Sequence, residues 1–407
     1  MGGNPVDALI AQAEMLRTAG RLQESERALR AALQVDSKNF AAWQGLSRLA
    51  QQVGRVDEAV HCLSRAYAIN PTSGLEAKLD KLARKFGDRE RARLYREIAL
   101  LQVDLGNIPA GIGSIRKSLR ADPQDAEAWF YFSRFLQDVR FTSRVGPALR
   151  ADLANALASG SSDKQYMAHA VISALMQEHG FKDLCQRMLQ AGSELDIGTI
   201  DLAVLNDRLS IGLLRGALMT DRRMELLLTA LRRHLLGKTV ESLRAGARVC
   251  IGCDEFLVAL AAQCSANEYI FSVTDQEASS LKALTDQIAG QTAEAVPGVW
   301  LAILGAYMPL IRLRNAAELS QRCWPEPWDS LIGLQVRDLM EEDAIKATLG
   351  AISEIRAGVS ASVREQYEEN PFPRWLSLPM LPREHSVQAY LGRLFPAAAV
   401  AGSASND

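Results

Sequence analysis

Cys250-Ile251-Gly252-Cys253 is the stretch whose residue types could most directly do chemistry. A CxxC pair works as a redox couple in a strand–turn–helix setting, or as half of a zinc site. Leu243-Arg244-Ala245, just upstream, reads as helix rather than strand. Zinc needs two more ligands, and only Cys264 and His234 stand nearby, with no second CxxC and no HxxxH. The pattern therefore predicts structural cysteines packed at a helix start. A nucleotide-binding turn would need at least two placed glycines, and only Gly252 is present. The five histidines, His61, His169, His179, His234 and His385, stand far apart, none with a Ser, Cys or carboxylate partner at a recognisable spacing. No Walker loop, GxSxG or HExxH occurs. Glu341-Glu342 and Glu368-Glu369 are sequence neighbours, and neighbours on a helix point about 100° apart, which makes no acid/base dyad. No catalytic, cofactor or metal constellation is expected from these residues.

Composition sets wider bounds. The chain has 407 residues, 48% hydrophobic and 23% charged, ordinary for a globular protein with a core. A formal net charge of −2 argues against a bulk nucleic-acid or anionic-membrane binder. Ala, Leu, Arg, Glu and Gln abound and no run of alternating β-branched residues is found, so helix is expected throughout. MGGNPVDALI lacks the charged start and apolar run of a signal peptide, and Val6 stands where myristoylation expects Ser or Thr. Ala295–Ile311 is apolar but carries Pro297, Gly298 and Pro309, which predicts a buried core helix. Six scattered cysteines fit a reducing cytoplasm.

The elements that must position any binding residues follow a period. In Trp43–Pro71, Trp43, Leu46 and Ala50 recur at helical spacing, followed by Gly54, Ala59, Leu63, Ala66 and Pro71. This is the pattern of a tetratricopeptide (TPR) unit, two antiparallel helices crossing at small residues. Gly20 lies 34 residues before Gly54, with Leu9, Leu16, Leu29 and Ala32 at the core offsets and Ser25 at the crossing. The next turn glycine, Gly106, comes 52 residues after Gly54. The intervening Leu75, Leu79, Leu82 and Phe86 predict one inserted helix, or a lengthened first helix, near residues 73–90. Tyr95, Ile98, Ile115 and Pro123 mark a third unit, and AWFYFSRFL from Ala128 echoes AWQGLSRLA, opening a partial fourth.

The fold expected is all-α: a TPR-type α–α superhelix over 1–142, a second helical domain over 143–357, an extended proline- and aromatic-rich segment over 358–395 with a short helix at Val387–Leu394, and a flexible tail over 396–407. In the second domain helices are expected at Val145–Ala158, Lys164–His179, Phe181–Ala191, Asp201–Met219, Arg222–Leu236 and Asp254–Asn267. Breaks are expected at Ser159–Asp163, at Gly180 and at Pro297, Pro325 and Pro327. The first helices of a repeat array line a groove, where Gln44, Arg48, Gln51, Gln52, Arg96, Phe130 and Arg134 are expected to meet a protein or peptide partner. The ring of Lys, Asn and Arg that clamps a peptide carboxylate is incomplete. The alternative is that the repeats pack against the chain's own second half.

CDEFLVALAAQCSANEYIFSVTDQE (Cys253–Glu277) and VREQYEENPFPRW (Val363–Trp375) carry a further resemblance. They resemble the region between TPR repeats and catalytic domain in certain bacterial methyltransferases that use S-adenosylmethionine (SAM). In that family a strand and a Gly-rich loop holding SAM follow shortly after such a segment, and neither is found up to Asp407. The resemblance implies a recognition or regulatory region, with SAM only through a catalytic domain elsewhere and no catalytic role for this chain. Pro371 and Pro373 hold their predecessors extended, so Tyr367, Asn370, Phe372, Arg374 and Trp375 are expected to dock a methyltransferase domain or to fold back as an aromatic plug. A stand-alone TPR adaptor or scaffold unrelated to methyl transfer is the other reading.

Overall fold

Apolar residues at three- and four-residue spacing give helix after helix in the computed structural model, which describes residues 4–191, 204–246 and 252–349. Among these residues there is no β-strand. The chain forms two compact units that part between Phe135 and Leu136.

In the first unit, α1 (Pro5–Thr18) and α2 (Leu22–Val35) make one hairpin, and α3 (Phe40–Gln52) and α4 (Val56–Ile69) make the next. A separate short helix, α5 (Glu76–Ala83), precedes the third hairpin of α6 (Asp88–Asp104) and α7 (Ile108–Ala121), and α8 (Ala126–Phe135) follows. Gly20, Gly54 and Gly106 turn the three hairpins with φ of +74°, +77° and +82°, a left-handed conformation that a Cβ would strain.

Small residues let each pair of helices cross closely. The crossing pairs are Ala13 with Ser25, Ser47 with Ala59, and Ala99 with Gly111. Ser25 Oγ donates to the carbonyl of Ala13 (2.7 Å) and Ser47 Oγ to that of Ala59 (2.9 Å). In the third hairpin a Cβ at Gly111 would come within 3.1 Å of the Ala99 carbonyl. Between the first two hairpins, Glu26 holds Arg30 (2.5 Å) and Arg55 (2.8 Å), while Glu58 holds Arg55 (2.6 Å). The insert packs by the apolar stripe read from the sequence: Leu79 is buried, and Leu75, Leu82 and Phe86 lie against a core of Val60, Leu63, Tyr67, Tyr95 and Ile98.

The second unit holds α9 (Pro147–Ala158), α10 (Lys164–Leu175), α11 (His179–Ala191), α12 (Arg208–Gly216), α13 (Arg222–Arg244), α14 (Asp254–Ala266), α15 (Asp275–Ala289), α16 (Gly298–Gly305), α17 (Ala316–Gln321), α18 (Trp328–Ile332) and α19 (Asp338–Thr348). Its centre is α14, buried from Phe256 to Ala261 and again from Gln263 to Ala266, with α12 and α16 packed on it. That burial on all sides is why neither α14 nor α16 carries an amphipathic pattern. Ala295–Ile311 is therefore core: α16 spans eight residues, six of them buried. Among the described residues no helix is long and apolar enough to cross a membrane.

Several expected boundaries shift. The helix expected over Lys164–His179 ends at Leu175, and Gly180 sits inside α11 instead of breaking it. A Cβ on Gly180 would meet Val204 at 3.0 Å, so this glycine serves a close approach, not a break. Asp207 caps the Leu209 amide at 2.9 Å and so starts α12 later than the Asp201 expected. α13 runs through Gly237 to Arg244, well past Leu236. After α8 no helix forms until Pro147, so the fourth unit has no second helix of its own among the described residues. The helix expected at Val387–Leu394 lies outside the described residues.

Candidate protein-binding surface

The first helices α3 and α8 are each set in place by a side-chain cap at the N-terminus. Asn39 accepts from the Ala42 amide at 3.0 Å, and Asp125 accepts from that of Ala128 at 3.1 Å. The Trp43 indole donates to the Ser37 carbonyl at 2.9 Å, and the Trp129 indole donates to the Pro123 carbonyl at 2.9 Å. Asp36 and Asp122 accept from the amides of Lys38 and Gln124, each at 3.0 Å. The same turn is thus built twice, and it delivers α8 in the manner of α3.

Residues 16–82 match the tetratricopeptide repeat family. The match runs from the end of α1 through the second TPR hairpin and into the insert. No curated protein matches the chain.

On the second TPR hairpin, Trp43, Leu46 and Ala50 turn toward the core, which leaves Gln44, Arg48 and Gln51 on another stripe of α3. Arg48 is exposed and donates to Gln44 Oε1 at 2.9 Å. Gln51 Nε2 donates to the Ser47 carbonyl (3.1 Å) and to Ser47 Oγ (3.0 Å), so the hydroxyl at the helix crossing also fixes this side chain. Gln52 is exposed beside it. On α1, Glu14 pairs with Arg17 at 2.6 Å. The hydrogen bond from Arg17 holds the Glu14 carboxyl below its usual range, and the positive charge of Arg48 adds to this.

Arg96 departs from expectation. Its guanidinium is taken by Asp125 and by Glu127, the latter at 2.6 Å, so it fastens α6 to the start of α8 instead of standing ready for a ligand. Phe130 is half-buried, its ring edge-on to Tyr131 with centroids 5.4 Å apart, and Tyr131 stacks on Phe135 at 6.2 Å. Arg134 is exposed on α8 with an interaction of its own. Tyr367, Asn370, Phe372, Arg374 and Trp375 lie outside the described residues.

Two clefts went unseen in the sequence. One of about 360 Å³ lies between α2, α3 and α4, with Leu33, Trp43, Leu46 and His61 in its wall. The other, of about 900 Å³ in the second unit, is rimmed by Arg144, Arg150, Glu178, His179 and Asp207. Its ion pairs, Arg150 with Glu178 (3.1 Å) and with Asp207 (2.7 Å), join residues far apart in sequence, and no local pattern announces them.

Four of the thiols are built for packing. Cys253 is buried at the start of α14, as the sequence suggests, and burial pushes its thiol up to about 11. Burial likewise pushes Cys62 up to about 11, and Cys185 and Cys264 up to about 12. A nucleophilic cysteine needs the opposite shift. Among the described residues no three His, Cys, Asp or Glu side chains converge to hold a metal ion.

Proposed function

We propose that the first unit is a protein-interaction module that holds a segment of another protein along its first helices. The observation that carries this reading is the polar stripe of α3. Arg48 and Gln52 are exposed there, while Gln44 and Gln51 are already oriented by hydrogen bonds, so little side-chain freedom is lost on binding. Phe130 and Arg134 on α8 extend the same kind of surface with an aromatic anchor and a cation.

The test is site-specific photo-crosslinking through residue 52 in the protein's own cells. The captured partner's crosslinked segment is then made as a peptide and titrated. Arg48→Glu is expected to weaken that peptide about tenfold or more, roughly the effect of losing one well-placed charged contact. Equal crosslinking through residue 120 on α7, or undiminished affinity in Arg48→Glu, sinks the reading.

The finer proposal is that this module is the recognition or regulatory part associated with a SAM-dependent methyltransferase. What supports it is the resemblance over Cys253–Glu277 and Val363–Trp375. SAM would then be held by a catalytic domain, in the same polypeptide or in a partner docked on Tyr367, Phe372, Arg374 and Trp375. Five of the chain's six cysteines lie among the described residues and all five are free thiols, which suits a reducing cytoplasm. Isolation of the endogenous protein with SAM-photolabelled material attached, or at a mass one domain above 44.5 kDa, supports this version. Neither outcome, with the first-helix partner still captured, leaves a TPR adaptor unrelated to methyl transfer.

A further inference from the structure

We infer that the outward face of α5, continued into the first turn of α6, is a docking surface for an acidic stretch of a partner polypeptide. It is a different surface from the first-helix face proposed above and stands on its own observations.

The insert departs from the 34-residue period, and everything on it except its cations is already engaged. Leu75, Leu79, Leu82 and Phe86 face the core. Glu76 holds Lys117 at 2.6 Å, and Asp80 holds Lys117 at 3.1 Å and accepts from the Tyr95 hydroxyl. Asp88 holds Arg91 at 2.6 Å. What faces outward is Lys78, Lys81, Arg84, Lys85 and Arg89, all exposed and none with an ion pair among the described residues. Glu90 is the only carboxylate from 76 to 90 left unpaired among the described residues. Elsewhere in the unit some cations are paired, as in Arg17 with Glu14, Arg30 with Glu26, and Arg93 with Glu97, and the exposed ones without an ion pair among the described residues, such as Arg27, Lys38 and Arg120, stand apart from one another. Five such cations within twelve residues are therefore a local concentration.

Helix electrostatics accounts for three of the five. Cations near a helix C-terminus are favourable, which covers Lys81, Arg84 and Lys85. Lys78 stands in the first turn of α5 and Arg89 in the first turn of α6, where the field favours carboxylates. Those two positions are unfavourable for the fold and gain their value from an anionic partner.

The class of partner follows from what accompanies the charge. Single-stranded nucleic acid is held by cationic grooves with aromatic stacking faces, and the one aromatic here, Phe86, packs inward. Membrane surfaces take amphipathic helices through an apolar face, and that face of α5 is already in the core. Carboxylates spaced along a polypeptide match the cations at 78, 81 and 85, which recur at three and four residues.

The experiment titrates the full chain against a fluorescein-labelled peptide of alternating Glu and Gly by anisotropy, with the Gln peptide as blank. Replacing Lys78, Lys81 and Lys85 together by Gln is expected to weaken binding about tenfold or more. Replacing Arg27, Lys38 and Arg120 by Gln removes the same charge from other exposed positions without an ion pair among the described residues and is expected to change it less than about twofold. A second variant, K78Q with R89Q, is expected to raise the melting temperature while weakening the peptide. The inference is overturned by absence of binding to the parent chain, by equal losses in the two triple variants, or by tighter binding of an oligonucleotide or a phosphatidylserine vesicle than of the peptide.

Discussion

A hydroxyl donating to a carbonyl across the helix crossing is the smallest unit of this architecture. Ser25 is 1% exposed and gives its proton to Ala13. Ser25→Ala leaves a buried carbonyl short of a donor and is expected to cost about 1 kcal/mol in urea denaturation. Gly111 and Gly113 share α7 yet should answer oppositely to alanine. A Cβ at Gly111 meets Val103 at 2.5 Å, so overpacking should destabilise by about 1–3 kcal/mol. At Gly113 nothing lies within 4 Å, and the gain in helix propensity should stabilise by up to about 1 kcal/mol. A single melting series distinguishes the two. The thiols give another residue-level test: iodoacetamide at neutral pH should label exposed Cys323 and leave Cys62, Cys185, Cys253 and Cys264 unmodified until the protein unfolds. Rapid labelling of Cys253 in the folded state would reopen a thiol-enzyme role. Arg48 and Gln51 could be placed from sequence because their stripe follows directly from Trp43 and Leu46. The occupation of Arg96 could not, since its acceptors lie 29 and 31 residues away on the next first helix.

At the scale of elements, the insert and the capping box of α15, with its buried Glu277, carry the clearest consequences. The 52-residue gap and the leucine stripe showed that something helical had been added. Gly87, extended at φ −65° and ψ 163°, makes it a separate helix, and nothing in the sequence chooses that over a longer α6. Leu79→Ala should cost about 2–5 kcal/mol, because the residue is fully buried where α5 meets α4 and α6. On α15, burial works to raise the Glu277 carboxyl, but the Thr274 amide, the Tyr307 hydroxyl and Arg233 together hold it below its usual range. A carboxyl depressed on folding stabilises the folded state fully above its unfolded value of about 4.3 and loses that contribution as pH falls through the folded value. The melting temperature should therefore drop on acidification below about pH 4.5, and Glu277→Gln should flatten that acid limb. An unchanged acid limb in the variant would show that other carboxylates carry it.

Over the whole molecule, two units of different construction sit in one chain. The first repeats a hairpin, so its helices were readable as a period. The second uses helices from 5 to 23 residues long and fixes them with single buried polar groups. Arg232, 1% exposed, lies 4.0 Å over the Tyr307 ring and donates to the carbonyls of Ser272 (2.8 Å), Phe271 and Ala306 (both 3.3 Å). Gln335 donates to the carbonyls of Ala261 (3.1 Å) and Gly305 (2.8 Å) from a π-turn at Gly333–Arg337. These partners are 30 to 74 residues apart in sequence, which is why no periodicity revealed them. Arg232→Met strips three buried carbonyls of their donor and should cost about 1–3 kcal/mol. Calorimetry of the full chain should show Leu79→Ala moving one transition and Arg232→Met another. Movement of a single common transition by both would mean the units unfold as one.

The alternation at the helix crossings has a consequence for how near-identical modules avoid confusion. The first hairpin carries its hydroxyl on the second helix, at Ser25, and the next carries it on the first helix, at Ser47. Were α1 to pair with α4, two alanines would meet and neither carbonyl would gain a hydroxyl donor. Were α3 to take the place of α1 in the crossing with α2, two serines would meet there. A slip by one module is thus penalised in both directions, and the tandem array carries its own proofreading of partner choice while it folds.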